Sequence, residues 1–422
     1  MRGRGTMCGV CGGLLAIAAA VHAEDWPCWR GPRGDGHVPD GVAVPAALPA
    51  APPVVWRVPV GFGLSSPVVS GGRVFHLDNQ DGKETVHALN AANGRELWRA
   101  PLDDTFTDSQ SAPGPRCTPA ADGDRVYAQS CRGELQCLNA ADGKAVWRIN
   151  YVKDLGAEFT GEQGASIGAT RHGFTAAPVV DGDRLIASAG GKNGAGVVCF
   201  DKRDGRVIWK SQNDTAGYGA PILATLAGVR QVVSFTAEAL IGLDAADGRL
   251  LWRVPVKTGF GRHAVTPVAA GDLVVAGSYT AGLYGVKVAR EGDGVKAETA
   301  WVSKPAAPNY ASPVAVGSTL FMLGPGDRLM AVDLQNGQRV WAQEEFSGAA
   351  LRKGYAALTV MGSNLLILAD NGTLLLVAAD PVAFRQISRA PVCGPTWCSP
   401  AYAGGRLYLR DEKELLCVAL TQ

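Results

Sequence analysis

The sequence predicts an all-β protein: an eight-bladed β-propeller whose blades are four-stranded antiparallel sheets. The first observation behind this prediction is an eleven-residue phrase that recurs five times with the same internal spacing. The second is a cycle of short apolar strands and tight turns that repeats about every 40–50 residues, the period of a propeller blade. The third is a high content of turn formers, 54 Gly and 25 Pro in 422 residues, which suits many short strands.

The repeated phrase consists of a small residue, any residue, Asp or Asn, three residues, Gly, three residues and Trp. Its five copies occupy residues 88–98, 137–147, 199–209, 242–252 and 331–341. The Asp or Asn is expected to hydrogen-bond the backbone of a turn, and the Gly to adopt a positive φ there. The Trp is expected to pack flat on a neighbouring blade while its indole N–H reaches a backbone carbonyl.

Each cycle opens with a small residue, any residue and Pro, followed by an apolar strand. Seven of the eight cycle starts are marked by Pro67, Pro119, Pro178, Pro221, Pro267, Pro313 and Pro400. The seventh cycle in chain order begins near Leu358 without its Pro. The phrase is interrupted in the fifth cycle, where the insertion 290–298 precedes Trp301, and Phe384 replaces the Trp in the seventh cycle.

The eighth cycle ends at Leu420, after its third strand, and so lacks a fourth strand. Residues 54–60 resemble the end of the phrase, with Trp56 in the Trp position, but nothing like its beginning precedes them. We therefore expect strand 54–60 to pair with the C-terminal blade and close the ring, which would remove the open sheet edges. Seven Trp, including Trp56 and Trp301, would then lie around the propeller.

The first 23 residues have the features of a secretory signal peptide. Arg2 and Arg4 form a basic start, and an apolar stretch covers residues 10–21. Residues 21–23, Val-His-Ala, offer small residues to a signal peptidase. We expect cleavage before Glu24 and a mature protein that is periplasmic or secreted.

Two further regions follow the signal peptide in the prediction. Residues 24–53 are expected to form a leader that packs on the surface, pinned by Trp26 and Trp29, and residues 54–422 the propeller. No later stretch is long and apolar enough for a membrane span. Lys and Arg total 40 against 39 for Asp and Glu, so the charge balance gives no reason to expect a nucleic-acid partner.

Eight cysteines remain after the signal peptide, an even number that would permit disulfides in an oxidising compartment. Five of them occupy positions of the repeat that hold Ala, Gly or Ser in other copies, and these are expected to fill the core as small apolar residues. They are Cys117, Cys137, Cys199, Cys398 and Cys417. Cys28, Cys131 and Cys393 lie outside these positions and are the better disulfide candidates, with the pairing left open.

The phrase resembles the docking motif of the PQQ-like, or quinoprotein-type, β-propeller repeat family, and the resemblance covers roughly residues 54–422. The leader sequence Trp-Pro-x-Trp-Arg-Gly-Pro at 26–32 looks like that of a secreted bacterial branch. The resemblance implies an eight-bladed propeller. The family holds both quinone-dependent alcohol dehydrogenases and non-catalytic scaffolds, such as the propeller lipoprotein of the outer-membrane barrel assembly machinery, so the fold does not decide the function.

The dehydrogenase members of that family hold PQQ and Ca²⁺ in a funnel, with a vicinal Cys pair and Glu, Asn and Asp around the metal. No two cysteines are adjacent here, and no matching set can be carried over. The sequence therefore assigns no catalytic, cofactor-binding or metal residues. It favours a monomeric, exported, non-catalytic scaffold that binds an envelope protein or polymer. The alternatives are a PQQ- and Ca²⁺-dependent alcohol dehydrogenase and a carbohydrate-binding or hydrolytic propeller.

Three local features stay open at this point. The insertion 151–174 is either a lid at the channel mouth or a solvated excursion; its polar residues include Lys153, Asp154, Glu158, Glu162, Arg171 and His172. The glycine-rich segment 190–196 lacks the spacing of a phosphate loop and is interpreted as a hairpin turn of the third blade. Residues such as Tyr218, Tyr310 and Trp397 either line the central channel or pack between blades, and His172 and His263 favour structural roles.

Overall fold

The computed structural model describes residues 25–108, 112–159, 161, 169–258 and 260–421. The predicted signal peptide, 1–23, lies outside these residues. The strands form eight four-stranded antiparallel sheets, as the sequence predicts. The first strands of neighbouring blades contact one another around the centre, whereas the last strands alternate exposed and buried residues. None of the described helices is long and apolar enough to cross a membrane.

The blades are numbered along the chain, and each is given from the inside outward. Blade 1 comprises β2 (Val68–Ser70), β3 (Arg73–Gln80), β4 (Lys83–Asn90) and β5 (Glu96–Asp104); blade 2, β6 (Ala120–Asp122), β7 (Arg125–Gln129), β8 (Glu134–Asn139) and β9 (Ala145–Asn150); blade 3, β10 (Val179–Asp181), β11 (Arg184–Ala187), β12 (Val197–Asp201) and β13 (Val207–Ser211); blade 4, β14 (Ile222–Leu226), β15 (Val229–Phe235), β16 (Ala239–Asp244) and β17 (Leu250–Pro255).

The second half of the ring follows the same order. Blade 5 comprises β18 (Val268–Ala270), β19 (Leu273–Ser278), β20 (Gly282–Glu291) and β21 (Gly294–Ser303); blade 6, β22 (Val314–Val316), β23 (Thr319–Gly324), β24 (Arg328–Asp333) and β25 (Arg339–Gln343); blade 7, β26 (Ala356–Met361), β27 (Asn364–Ala369), β28 (Thr373–Ala378) and β29 (Gln386–Pro391); blade 8, β30 (Ala401–Ala403), β31 (Arg406–Arg410), β32 (Glu414–Ala419) and β1 (Val54–Pro59). Within the described ranges, the helical segments are α1 (Tyr151–Leu155) and two 3₁₀ turns, Ala169–His172 and Lys304–Ala306.

The ring is closed by β1, which pairs antiparallel with β32 and completes blade 8, as predicted. Trp56 lies opposite Cys417, and Pro59 opposite Glu414. The fully buried Arg410 of β31 reinforces this closure, because its guanidinium donates to the carbonyls of Gly61 and Leu77. The closure thus joins the two ends of the propeller by backbone pairing and by a buried cation.

The repeated phrase builds the joints between blades. The indole N–H of Trp56 donates to the Ala91 carbonyl of blade 1 at 2.9 Å, and that of Trp98 donates to Ala140 of blade 2 at 3.0 Å. A Cβ on Gly143 would lie 2.5 Å from the Trp98 ring, so the Gly of each phrase also leaves room for the Trp of the preceding blade. Gly143 has a φ of 72°, which makes a side chain there unfavourable for a second reason.

The joint between blades 4 and 5 departs from this rule. Blade 5 carries the long β20–β21 hairpin in place of the uninterrupted phrase. Trp252 then has no such glycine to contact, and its indole N–H donates to Gln231 of its own blade at 2.7 Å. At the next irregular position, Trp341 meets Phe384 edge to face with ring centroids 6.1 Å apart. The predicted replacement of Trp by Phe384 therefore keeps an aromatic contact.

The eight cysteines of the described chain are all free, so the expectation of disulfides at Cys28, Cys131 and Cys393 is wrong for these residues. The five cysteines at small positions of the repeat are buried, as predicted. Cys131 is also buried, and the Cys28 thiol donates to the carbonyl of Gly31 at 2.8 Å. Two of the three candidates thus serve local packing and a turn.

Strand direction gives the ring two different faces. The connections that lead into each innermost strand, with the β3–β4-type hairpins, lie on one side, which we call the mouth face. The remaining turns lie on the other, which we call the leader face. There the leader pairs with blade 1 through Trp26 and Val69 and with blade 7 through His37 and Val360. The segment 190–196 joins β11 to β12, as the hairpin interpretation requires.

Candidate functional site in the central channel

The lower part of the channel is lined by the residues that directly precede the repeated prolines. Several of these are hydroxyl residues that tie adjacent blades together. The Thr118 hydroxyl accepts from the Ser66 N–H at 3.2 Å, and the Ser66 hydroxyl accepts from the Ser399 N–H at 2.9 Å. The Ser312 hydroxyl accepts from the Thr266 N–H at 3.0 Å. These bonds fix the spacing of the innermost strands, so the channel wall is rigid.

Trp29 of the leader closes this end of the channel. Its indole N–H donates to the Thr266 hydroxyl at 2.9 Å, whereas Trp26 of the same leader pairs with Val69 of blade 1. The sequence prediction expected Trp29 to pin the leader to the propeller. The side chain enters the channel and forms the floor of a cavity.

The cavity above Trp29 has a volume of about 250 Å³ and opens on the mouth face. Its upper wall is formed by the residue three positions before each cycle start. These eight residues are Leu64, Arg116, Thr175, Tyr218, Ala264, Tyr310, Tyr355 and Trp397. The eight positions are equivalent in the fold but mostly hold different side chains. We call this cavity, with Trp29 and these residues, the channel cavity.

Arg116 occupies a corner of the channel cavity where its charge is neutralised. Its guanidinium lies 2.8 Å from the Asp108 carboxylate, which also lies 2.8 Å from Nδ1 of His172. Arg116 further donates to the backbone carbonyl of His172 at 2.9 Å and covers the Phe106 ring. Burial lowers the pKa of His172 while Asp108 opposes the shift. This corner is a structural ion-pair cluster that joins the 105–116 connection to the insertion.

Arg262 lies in a different electrostatic environment. Its guanidinium carbon is 4.2 Å from the Tyr279 ring centroid and 5.2 Å from that of Tyr310. Among the described residues, its side chain makes one hydrogen bond, a long contact of 3.5 Å with Asn309, and its buried Nε has no acceptor. Within the described chain, no carboxylate forms an ion pair with it. Arg262 thus brings an uncompensated positive charge to the channel cavity.

Aromatic side chains continue the wall beside Arg262. The rings of Tyr310 and Trp397 have centroids 5.9 Å apart. The Lys353 ammonium lies 4.7 Å from the Trp397 ring, and the buried Nε1 of Trp397 has no acceptor among the described residues. The Tyr355 hydroxyl lies 3.0 Å from that of Ser399, and burial raises the pKa of Tyr355 to about 12. This side of the cavity is flat, apolar and supplied with hydrogen-bond donors.

The insertion 151–174 is anchored at both described ends, which does not fit a wholly solvated excursion. Tyr151 and Phe174 are buried and meet edge to face at 5.4 Å. The Asn150 side chain caps α1, and Glu158 pairs with Lys192 at 3.3 Å. Glu162 lies outside the described residues.

Two other polar residues that the sequence singled out lie near the channel. Arg171 contacts the exposed Phe260 of the next long connection, with 5.7 Å from its guanidinium carbon to the ring centroid. His263 is fully buried, stacks on Phe235 at 4.2 Å, and has its pKa lowered to about 4 by burial. The predicted structural role of His263 matches this environment.

The channel cavity does not offer the donor set that a Ca²⁺–quinone pair requires. Ca²⁺ prefers six to eight oxygen ligands, several of them carboxylates. Among the described residues, no Asp or Glu lines the cavity, and the carboxylate that contacts two of its lining side chains, Asp108, is already engaged by them, Arg116 and His172. Over the described ranges, no group of three or more His, Cys, Asp or Glu side chains is placed to hold a metal ion. No dehydrogenase step is therefore derived from these residues.

Comparison with known proteins shows which family the chain belongs to. A family model described as outer membrane protein assembly factor BamB matches residues 82–343, more than half of the chain. The chain belongs to this family. The match confirms the resemblance to PQQ-like propellers that the phrase indicated. An assembly factor BamB from Yersinia pestis, a relative within the family, is 24% identical over 360 residues, which cover 79% of this chain and 80% of the relative.

Two solved structures show the same fold. BamB from Moraxella catarrhalis is 15% identical with a TM-score of 0.60, covering 88% of this chain and 99% of that one. A quinohemoprotein alcohol dehydrogenase from Comamonas testosteroni is 14% identical with a TM-score of 0.50, covering 96% of this chain and 81% of that one. At these identities the likeness extends to the fold alone, and it includes members of both functional types.

Sequence reasoning found part of the channel wall. Tyr218, Tyr310 and Trp397, left open between channel and interior, all line the cavity. Arg262 and Tyr355 were missed as wall residues. Tyr355 could have been found from the repeat, because it lies three positions before a cycle start, as Tyr218, Tyr310 and Trp397 do. The seventh cycle lacks the Pro that marks the other starts, and this concealed the position. Arg262 lies two residues before Ala264, the wall residue of its cycle. Its side chain reaches the cavity because the connection turns there.

Proposed function

We propose that this protein is an exported scaffold of the cell envelope that binds a protein partner on its mouth face and performs no chemistry of its own. Membership in the BamB family supports the scaffold role, since the relatives are named for assembly of outer membrane proteins. The signal-peptide pattern of residues 1–23 supports export. The proposal includes function without PQQ or Ca²⁺, which the donor set of the channel cavity supports.

The two ends of the ring are covered unequally, and this supports binding on the mouth face. The leader lies across the leader face and fills its channel opening with Trp29. The mouth face carries the long connections, and these present apolar side chains to solvent. Phe260 is 55% exposed and Val152 is 37% exposed. Exposed apolar side chains on rigidly anchored connections are typical of protein-binding surfaces.

Site-specific photo-crosslinking in the envelope of the producing cells tests this proposal. A photoreactive residue at Phe260 is expected to give a discrete crosslinked band, because Phe260 lies on the proposed surface. The matched control is Val382, which is 76% exposed in the outer turn of blade 7 on the leader face. Equal crosslinking from both positions, or none from Phe260, would contradict binding by the mouth face.

A second measurement addresses the enzymatic alternative. Purified protein is incubated with PQQ and Ca²⁺, and dye reduction is followed with a panel of primary and secondary alcohols. We expect no turnover above the protein-free control and no stoichiometric quinone spectrum. Turnover that depends on both PQQ and alcohol would overturn the non-catalytic part of the proposal while leaving the crosslinking result to decide on the partner.

A further inference from the structure

The channel cavity combines the guanidinium of Arg262, which has no carboxylate partner among the described residues, with a flat aromatic wall. We propose that it binds a small organic acid in which a single ring carries a carboxylate. The carboxylate would lie on Arg262, and the ring would lie against Tyr310 and Trp397. This goes beyond the scaffold role, because it concerns a small molecule inside the ring rather than a partner on its face.

The charge of Arg262 argues for an anion. Burying part of a guanidinium costs free energy, and without a carboxylate partner this cost is not offset. Its Nε is buried and has no acceptor, and the flanking rings of Tyr279 and Tyr310 hold the guanidinium in place. A fixed guanidinium with unused donors matches the two oxygens of a carboxylate, which it can bind through paired hydrogen bonds.

The aromatic wall argues for a ring attached to that carboxylate. Tyr310 and Trp397 are inclined by 37° and together offer apolar faces beside Arg262. Trp397 lines the cavity, and its buried Nε1 has no acceptor among the described residues, so this donor is left unused beside the ring site. A simple inorganic anion would use the cation but leave both the rings and this N–H unused.

The size of the cavity limits the ligand. A volume of about 250 Å³ lies just below the range of about 300–1,000 Å³ that ligand pockets usually occupy. Trp29 closes the lower end, so a polymer chain cannot thread the channel. A single ring with one carboxylate therefore fits the space better than an extended or multi-ring molecule.

Ligand-observed NMR by saturation transfer, followed by calorimetry on any binder, tests the proposal with the full mature chain. The probes are benzoate as an aromatic acid and D-glucuronate as a sugar acid, with benzamide and D-glucose as their neutral counterparts and acetate as a carboxylate without a ring. We expect at least one ring acid to bind and its neutral counterpart to bind about tenfold more weakly or not at all. The preferred acid identifies the ring chemistry.

Variants connect the binding to the site. Arg262→Gln is expected to weaken the acid by about tenfold to a hundredfold, since a hydrogen-bonded charge is lost, and Arg262→Lys to weaken it less. Arg99→Gln removes the same charge from the exposed outer strand of blade 1 and is expected to bind like the parent protein. Thermal melting confirms that each variant is folded.

Three outcomes would overturn the proposal. The first is that neither ring acid binds to the folded parent protein. The second is that the neutral counterparts or acetate bind as tightly as the ring acids. The third is that Arg262→Gln binds like Arg99→Gln. Because these measurements involve no partner protein, they can fail or succeed independently of the crosslinking at Phe260.

Discussion

The blade joints and the channel wall follow opposite sequence rules within one repeat. At the regular joints, equivalent positions hold the same residues, because a Trp such as Trp56 or Trp98 packs on a glycine and donates to a carbonyl of the next blade. In the channel, equivalent positions hold Leu, Arg, Thr, Tyr, Ala or Trp. Equivalent positions that hold the same residue from blade to blade therefore indicate packing. Equivalent positions that hold different residues are where a propeller acquires a specific chemistry.

Removing a Trp from each region should show the largest difference in stability between joint and channel. Trp98→Ala should lower the free energy of unfolding by about 3–5 kcal/mol, because it empties a joint and leaves the Ala140 carbonyl without its donor. Trp29→Ala should cost clearly less, because Trp29 is only half-buried in the channel and bonds one hydroxyl. Urea unfolding measures both, and equal losses would contradict the distinction between joint and channel.

The next largest effect is expected at the joint glycines. Gly143→Ala should cost about 2–4 kcal/mol, from a positive φ and from overlap with the Trp98 ring. Gly123→Ala is the matched control, since its φ is 57° but no atom lies within 4 Å of the added Cβ. It should cost about 1–2 kcal/mol, the backbone term alone. The difference between the two variants isolates the Trp contact, and no difference would argue against it.

Glu84 offers a pH-dependent test of the contact between blades 1 and 2. It is fully buried between blades 1 and 2, where its carboxylate accepts from the N–H groups of Cys131 and Phe106. Burial raises its pKa to about 7 from an ordinary value of 4.5. The folded protein therefore holds a proton that the unfolded chain releases, and Glu84 contributes stability below about pH 4.5 that is lost as the pH rises through 7.

The comparison of parent protein and Glu84→Gln isolates this contribution from other titrating groups. His263 has the opposite sign, because its pKa is lowered to about 4 and its protonation below pH 6.5 favours the unfolded chain. Relative to Glu84→Gln, the parent should gain up to about 3 kcal/mol between pH 7 and pH 4.5. The free energy of unfolding is measured for both proteins at several pH values. The same pH dependence in the two proteins would contradict the raised pKa of Glu84.

The smallest expected effect is in the channel itself. Arg262→Gln should change the free energy of unfolding by less than about 0.5 kcal/mol, since the guanidinium forms no ion pair with the part of the chain that the structure describes. Its effect belongs to ligand binding rather than stability. A loss of several kcal/mol in urea unfolding would show that Arg262 is a structural residue like those of the joints.

The joints were predictable from the sequence because their interactions lie within one phrase and its nearest neighbour. Trp56 and β1 could be assigned to blade 8 from the repeat alone, since the repeat fixes the register. The environment of Arg262 could not, because Tyr279, Asn309 and Tyr310 approach it from other connections. The entry of Trp29 into the channel could not be predicted either, because the leader has no period to show where its side chains point. Cysteine count alone was a poor guide, since single thiols here fill the core or a turn.

Pairing of β1 with β32 also imposes an order on folding. β1 is synthesised before every other strand of the propeller, whereas its partner is synthesised last. The ring therefore cannot close until β32 has been made, and β1 must wait without its partner. Contacts between such distant segments slow folding, and an unpaired strand is open to pairing with other chains until closure. We expect the rate-limiting step of folding to be the docking of the first strand onto the last.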